Sequence, residues 1–176
     1  MTTTLVRTRT HAGARPVDRL ALDTPIGRLI LEGTDDALIR LLLPNAAASA
    51  PPAPSATDPS DGRPVATAAR QLGEYFAGTR TGFEIPLDLH GTPFQEDVWR
   101  ALGEIPYAET VSYAELAQIV GRPLACRAVG QANGANPLPI VLPCHRVLAT
   151  GGRLGGYGGG LETKQRLLAH EGVILV

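Results

Sequence analysis

Cys144 and His145 are neighbours whose side chains suit a nucleophile and its base. Arg146 follows them, so the thiol lies beside two groups that can carry positive charge. Such neighbours lower the pKa of a thiol and raise its thiolate fraction, and the thiolate is the nucleophile. We therefore expect Cys144 to be reactive, attacking a saturated carbon, although most cysteines are simply small buried residues. Cys126, inside a predicted helix, fits that second description.

A histidine that acts as a base needs an acid to orient it. A carboxylate on one ring nitrogen fixes the tautomer and stabilises the charged form of the ring. Glu171, at the end of the last predicted helix, is one candidate for His145 among several. Spacing alone does not select it.

Residues 151–160 form a glycine-rich segment with Tyr157 in its middle. The segment matches neither the GxxxxGK[ST] phosphate loop nor the GxGxxG dinucleotide fingerprint. Glycines let backbone amides approach a ligand closely, and a tyrosine can stack on a flat base. A base-binding loop and a flexible surface loop are equally consistent with this composition.

The composition is that of a globular protein without metal or membrane segments. The chain has 176 residues, 44% of them hydrophobic and 19% charged, enough for one sizeable core or two small ones. No apolar run approaches the roughly 20 residues of a membrane helix, and the N-terminus lacks a signal-peptide core. We expect a cytoplasmic protein with no membrane contact, no cofactor, no obligate protein partner and two reduced thiols. Too few histidines lie near the two cysteines to predict a zinc site.

The charges are unevenly placed, although the formal net charge is only -1. No acid lies between Glu115 and Glu162, whereas four arginines do: Arg122, Arg127, Arg146 and Arg153. A locally basic surface on a near-neutral protein suits a limited footprint on phosphates. Four scattered, solvated arginines are the alternative interpretation.

The first half of the chain predicts a small α/β domain over residues 1–90. Residues 1–15 are polar and predict a frayed tail, and residues 44–64 are rich in Ala, Pro, Ser and Asp, which predicts a flexible loop. Turn residues separate three short apolar segments, which predicts an antiparallel meander. A helix and a further extended segment follow the loop. The predicted strands are Val17–Leu22, Arg28–Glu32 and Ala37–Leu43, the helix is Val65–Phe76, and the last extended segment is Phe83–Leu89.

The second half, residues 91–176, predicts a mainly helical domain. Thr92 with Gln95, and Ser112 with Glu115, have the spacing of capping boxes at two helix starts. The second of these helices ends at Gly121, and a third is predicted from Leu124 to about Asn133. Helix, short turn, helix is the outline of a helix-turn-helix, with Arg127 where a recognition helix meets DNA. Any pair of packed helices has this outline, so the motif alone is weak.

Together these motifs resemble the O6-alkylguanine-DNA alkyltransferase family. The resemblance is strongest in Asn136-Pro137 and the run from Ile140 to Val147, which contains Pro143-Cys144-His145-Arg146. It extends over nearly the whole chain, loosely in the first half. The other matching segments are Thr24–Gly27, Ile105–Tyr107, Val111–Tyr113, Arg127–Gly130, Gly156-Tyr157 and Leu167–Gly172.

The resemblance implies a ribonuclease-H-like α/β N-terminal domain and a C-terminal domain with a winged helix-turn-helix. It also implies direct-reversal repair of double-stranded DNA, in which Cys144 irreversibly accepts the alkyl group of a flipped-out O6-alkylguanine, and O4-alkylthymine is a further candidate lesion. His145 would deprotonate Cys144 through a water, Glu171 would orient His145, and Asn136 would brace the turn that presents the cysteine. The remaining roles divide into DNA contacts at Tyr113, Arg122, Arg127 and Thr150, and a base pocket at Val147, Tyr157 and Gly158.

Three departures from the family pattern qualify this expectation. Gly158 stands where some relatives have serine, so a side-chain hydroxyl toward the guanine oxygen is lost while the backbone N–H remains. No N-terminal set of zinc ligands is visible, and no cysteine-rich sensor domain precedes the fold.

Three other functions remain open at this point. A lesion-binding relative without catalysis would lack the cysteine, which is present here. A cysteine hydrolase using Cys144, His145 and Glu171 would turn over a small acyl substrate many times. A helix-turn-helix regulator would prefer one operator sequence and keep its affinity after Cys144→Ala.

Overall fold

A computed structural model describes residues 18–54 and 61–174. The predicted N-terminal tail, residues 1–15, therefore lies outside the described residues. The chain folds as two compact units, Met1–Leu89 and His90–Val176. No helix in the described ranges is long and apolar enough to span a membrane.

The N-terminal unit contains the predicted meander. Strands β1 (Asp18–Thr24), β2 (Gly27–Gly33) and β3 (Leu38–Leu42) form an antiparallel sheet in the order β1-β2-β3. Leu20 pairs with Leu31, and Ile30 pairs with Leu42, so apolar residues oppose each other across the sheet. The predicted α/β class of this half is confirmed.

One helix and one extended segment complete the core of this unit. Helix α2 (Pro64–Phe76) begins with a proline at its first turn and buries an apolar stripe that contacts β1 and β2. Gln71 of α2 accepts from the backbone N–H of Glu84 at 2.8 Å and donates to its carbonyl at 3.1 Å. The predicted segment Phe83–Leu89 is thereby held beside β3, where Leu38 and Leu87 form a parallel bridge.

The segment 44–64 differs at its start from the flexible loop that its composition predicts. Pro44–Ala47 form a short helix, α1, and Ala47 is buried against Ile30 and Leu42 of the sheet. The backbone N–H of Ala21 also donates to the carbonyl of Pro54 at 2.7 Å. Alanine buries its methyl group at no side-chain entropy cost, so an Ala-rich segment can order against an existing apolar surface. Residues 55–60 lie outside the described residues.

The C-terminal unit is mainly helical, as predicted. Its helices are α3 (Pro93–Gly103), α4 (Tyr113–Ile119), α5 (Cys126–Gly134) and α6 (Leu161–His170). Two 3-10 helices, Cys144–Arg146 and Thr150–Gly152, flank the two-residue strand β5 (Val147–Leu148), which pairs in parallel with β4 (Val111–Ser112). Both predicted capping boxes are confirmed, at Thr92 with Gln95 and at Ser112 with Glu115.

Helices α4 and α5 form the predicted helix–turn–helix, with one shifted boundary. Gly121 ends α4 with φ 69°, a left-handed conformation in which glycine carries no Cβ penalty. Helix α5 begins at Cys126 rather than Leu124, because the N–H of Ala125 donates back to the carbonyl of Arg122 and closes the turn. Leu116 and Ala117 of α4 are buried, whereas Ile119 is exposed.

Candidate active site in the C-terminal unit

Cys144 is presented by a loop that is tied down from both sides. The Asn136 side chain donates to the carbonyl of Leu142 at 2.7 Å and accepts from the N–H of Leu138 at 2.9 Å. The N–H of Cys144 donates to the same Leu142 carbonyl at 2.8 Å. Within this loop Ile140 has φ 75°, a strained conformation for a β-branched residue. The chain thus enters the Cys144–Arg146 helix in one fixed direction.

Burial, rather than the flanking charges, has the largest effect on the pKa of the Cys144 thiol. Cys144 is 5% exposed. Burial raises the pKa of its thiol, and hydrogen bonds from Asn136 and Tyr157 together with the charge of Lys164 offset this only in part. The direction is opposite to the lowered pKa that the neighbouring histidine and arginine predict. The resting residue is therefore a thiol, and a base must remove its proton.

His145 has the protonation state that such a base requires. The ring is fully buried, and its Nε2 lies 2.7 Å from Glu171 Oε1. Burial lowers the pKa of His145 and outweighs the hydrogen bond and charge of Glu171, which act in the opposite direction. A neutral ring carries one proton, and the carboxylate on Nε2 retains it there. Nδ1, which has no partner among the described protein groups, is left with its lone pair free.

Glu171 is held as a carboxylate by a ring of donors. Arg146 donates from Nε to Oε2 at 2.8 Å and from Nη2 to Oε1 at 2.9 Å, and the N–H of Ala108 donates to Oε2 at 3.2 Å. Burial alone would raise the pKa of Glu171, but the hydrogen bonds and charges of His145 and Arg146 hold it well below its usual value. The acid that spacing did not select is therefore the one that contacts His145.

Arg146 belongs to this interior network and not to the basic surface that its position in the sequence suggests. Its guanidinium is almost fully buried, donates from Nη1 to the carbonyl of Ile105 at 2.7 Å, and stacks 5.6 Å from the ring centre of Tyr107. Three of the four predicted arginines, Arg122, Arg127 and Arg153, are exposed.

Three of the predicted DNA-contact residues lie on the surface, and the fourth is half-buried. Arg122 lies in the turn between α4 and α5, Arg127 in the first turn of α5, and Thr150 at the start of the second 3-10 helix, all exposed. Tyr113, the first residue of α4, is half-buried. Burial raises its pKa, as does its interaction with Cys144, whereas a hydrogen bond with Asn133 opposes the rise.

The predicted base-pocket residues surround Cys144 on two segments. Val147 is fully buried in β5, and Tyr157 hydrogen-bonds with Cys144 from the glycine-rich segment. Gly155, at φ 65°, lets this segment pass the Tyr113 ring, which an added Cβ would meet at 3.3 Å. A Cβ at Gly158 would meet only the Gly134 carbonyl, at 3.9 Å, so the backbone leaves room for a Cβ at this position.

Sequence reasoning missed two residues of this site, Lys164 and Asn133. Lys164 of α6 is fully buried beside Cys144, and Asn133 of α5 hydrogen-bonds with Tyr113. Lys164 lies seven residues, or two helical turns, before Glu171, the residue that caps the C-terminus of α6, so the two residues lie on the same side of the helix. That spacing was visible in the sequence. Among the described residues, no group of three or more His, Cys, Asp or Glu side chains has the arrangement of a metal site.

Comparison with known proteins gives the same two-part division. Residues 20–89 match the family described as 6-O-methylguanine DNA methyltransferase, ribonuclease-like domain, and residues 93–173 match its DNA binding domain. A relative from Mycolicibacterium paratuberculosis, named methylated-DNA--protein-cysteine methyltransferase, is 51% identical over 88% of this chain and 92% of its own length. A constitutive enzyme of that name from Bacillus subtilis is 46% identical over 85% of this chain and 92% of its own.

Solved structures agree with these matches. The O6-methylguanine methyltransferase of Mycobacterium tuberculosis superimposes with a TM-score of 0.74 at 44% identity, covering 88% of this chain and 92% of that one. The Mycobacterium tuberculosis protein in complex with DNA superimposes equally well, with a TM-score of 0.74. The two domain matches span most of the sequence, and the chain belongs to the 6-O-methylguanine DNA methyltransferase family.

Proposed function

We propose that this protein repairs double-stranded DNA by direct reversal, transferring the alkyl group of O6-alkylguanine irreversibly to Cys144. The names of the relatives and the Mycobacterium tuberculosis complex with DNA support this proposal. The observation that carries it is a buried thiol, Cys144, followed directly by a buried, neutral His145 that is hydrogen-bonded to the ionised Glu171.

The arrangement supplies the proton transfer that the reaction needs. His145 Nδ1 accepts the proton of Cys144 through a bridging water, while Glu171 fixes the ring and stabilises the positive charge that develops on it. The sulfur–carbon bond then forms as the bond between the alkyl carbon and O6 breaks, and the bonding electron pair leaves with guanine. Guanine takes up a proton in place of the one that Cys144 lost, so charge and protons balance. The product is a thioether, whose carbon–sulfur bond is not broken by thiol exchange, so each molecule acts once.

The exposed Arg122, Arg127 and Thr150 support a substrate within DNA rather than a small acyl compound. The alkyl carbon lies inside the base stack, so the nucleotide must be extruded at a cost of a few kcal/mol before the sulfur reaches it. Arg127 is proposed to fill the gap that the base leaves, and Arg122 and Thr150 to contact the backbone. Tyr113, Val147, Tyr157 and the backbone N–H of Gly158 are proposed to hold the base, where donors stabilise the charge developing on guanine.

Mass spectrometry tests the proposal directly. The protein is incubated with a duplex that contains one O6-methylguanine, and the intact chain and its peptides are weighed. We expect one methylene mass on the peptide of Cys144, stopping at one equivalent per protein. Cys144→Ser is the control and is expected to leave the lesion in place.

The same experiment separates the alternative functions. An unmodified Cys144 beside an unrepaired lesion would favour a protein that only binds damage, and repeated turnover of an acyl ester would favour a hydrolase. Sequence-selective binding that survives Cys144→Ala would favour a regulator. The cytoplasmic location, the absence of an obligate protein partner and the reaction with O4-alkylthymine stay predictions.

A further inference from the structure

Lys164 is a buried cation whose hydrogen-bond partners among the described residues are two backbone carbonyls. The residue is fully buried on α6, and its Nζ donates to Val147 O at 2.6 Å and to Leu154 O. No carboxylate pairs with it within residues 18–54 and 61–174. Lysine is almost never fully buried without a counter-charge, because the desolvation of the ammonium is costly. Burying a leucine or methionine at this position would cost less free energy, so the lysine indicates a role other than stability.

The two carbonyls belong to the two segments that surround the thiol. Val147 follows directly on the helix Cys144–Arg146, and Leu154 lies in the glycine-rich segment that leads to Tyr157. Glycine-rich backbone is conformationally free and needs tertiary contacts to hold one position. Lys164 therefore connects β5 to the loop that carries the hydroxyl of Tyr157 toward Cys144.

The charge of Lys164 also acts on the sulfur. Burial lowers the pKa of Lys164 to about 8, whereas its interaction with Cys144 raises it, so the ammonium and a thiolate stabilise each other. In the described part of the chain, the other ionisable groups around Cys144 supply no free cation. His145 is neutral, Arg146 is neutralised by Glu171, and the raised pKa of Tyr113 keeps its hydroxyl uncharged.

We propose that Lys164 is a positioning residue of the transfer reaction, which joins the two segments around Cys144 through the carbonyls of Val147 and Leu154 and stabilises the attacking thiolate by its charge. The inference rests on the proposed function, since it assigns the thiolate as the attacking group. Deprotonation by His145 and stabilisation by Lys164 are complementary: the first removes the proton, and the second lowers the free energy of the anion that remains.

The thiol pKa of Cys144 tests the role of the charge without any DNA. In a Cys126→Ser background, the rate of alkylation by iodoacetamide is measured against pH for the parent and for Lys164→Met, which keeps the volume and removes the charge. We expect the Cys144 pKa to rise by about one unit or more, which is a tenfold loss of thiolate at neutral pH. Arg166→Met, at an exposed position of the same helix, is the matched control and is expected to match the parent.

Two further measurements keep the outcome decisive. Lys164→Arg retains the charge and is expected to keep the Cys144 pKa within about half a unit of the parent. The same substitution is expected to slow transfer from O6-methylguanine, because the longer guanidinium side chain displaces the carbonyls of Val147 and Leu154. Circular dichroism verifies that each variant is folded, and Lys164→Gln replaces Lys164→Met if that variant is not. An unchanged Cys144 pKa in a folded, uncharged variant would overturn the inference.

Failure of the inference is distinguishable from failure of the proposed function. Iodoacetamide requires neither DNA nor a flipped base, so a raised thiol pKa in a protein that takes no methyl group from DNA would overturn the function and leave the role of Lys164 standing. Methyl transfer by a protein whose Cys144 pKa does not change when Lys164 is substituted would support the function and overturn the role of Lys164.

Discussion

Glu171 accepts four hydrogen bonds in the interior of the C-terminal unit, two on each oxygen. Four is about the number of lone-pair positions that a carboxylate offers, so the group is saturated. Its ionised state is thereby fixed, and with it the proton on Nε2 of His145. At the scale of the residue, Glu171 fixes the tautomer of His145, and Nδ1 of His145 keeps a lone pair that no described group contacts.

Glu171→Gln tests this dependence. Glutamine keeps the size but removes the charge, so His145 loses both its fixed tautomer and the stabilisation of its protonated form. We expect alkyl transfer to Cys144 to slow by about 10²-fold or more, in line with the loss of a positioned general base, while DNA affinity stays nearly unchanged. Single-turnover kinetics with an O6-methylguanine duplex and a binding titration measure the two quantities.

The neighbouring contacts determine how that experiment is controlled. Removing the charge of Glu171 leaves the buried Arg146 without its counter-ion, which is expected to lower the free energy of unfolding by about 3–5 kcal/mol. Rates are therefore compared below the melting temperature of the variant, as followed by circular dichroism. An unaltered rate in the folded variant would remove Glu171 from the mechanism.

At the scale of elements, the features that the sequence predicts are those with local causes. A capping box needs only four consecutive residues, so Thr92 and Ser112 each predict a helix start from the sequence alone. The meander follows from apolar segments separated by turn residues in the same local way. The position of α1 does not, because it depends on an apolar sheet surface that another part of the chain provides.

The site shows the same division between local and tertiary causes. Cys144 and His145 are adjacent in the sequence, so the sequence alone predicts a thiol beside a possible base. The interior position of Arg146 was not, since it depends on Glu171 and on the carbonyl of Ile105, which is 41 residues away. The predicted direction of the Cys144 pKa shift is wrong for the same reason. Burial is a tertiary property, and here its effect on the pKa exceeds that of the neighbouring charges.

Helix α5 is the element whose exposed first turn we expect to enter the DNA. Arg127→Ala is predicted to weaken repair of duplex DNA much more than reaction with free O6-benzylguanine, because the free base needs no extrusion and leaves no gap to fill. Parallel measurements of the two rates give the comparison, with Arg166→Ala on α6 as the control. Equal losses on both substrates would count against the proposed role of Arg127.

At the scale of the whole molecule, ion pairs leave few arginines available for phosphates. In the described part of the N-terminal unit every arginine lies within 4.0 Å of a carboxylate, and in the C-terminal unit Arg100, Arg146 and Arg166 are paired in the same way. The exposed arginines for which the described residues supply no such partner are Arg122, Arg127 and Arg153. All three lie in the stretch between Glu115 and Glu162 that contains no acid.

This distribution predicts a shallow dependence of DNA affinity on salt. Each phosphate that a protein neutralises on B-DNA contributes about 0.9 to the magnitude of the slope of log K against log salt. Three arginines therefore set an upper limit of about 2.7, and Arg127 contributes less than its share where it enters the base stack. Arg122→Ala is expected to reduce the magnitude of the slope by about 0.9, whereas Arg100→Ala, whose charge is already paired with Glu96, is expected to leave it unchanged. Fluorescence anisotropy with an undamaged duplex at several salt concentrations measures both. A slope of about −6 or steeper would mean that the paired arginines exchange their carboxylates for phosphates on binding, and the free arginines would then not define the footprint.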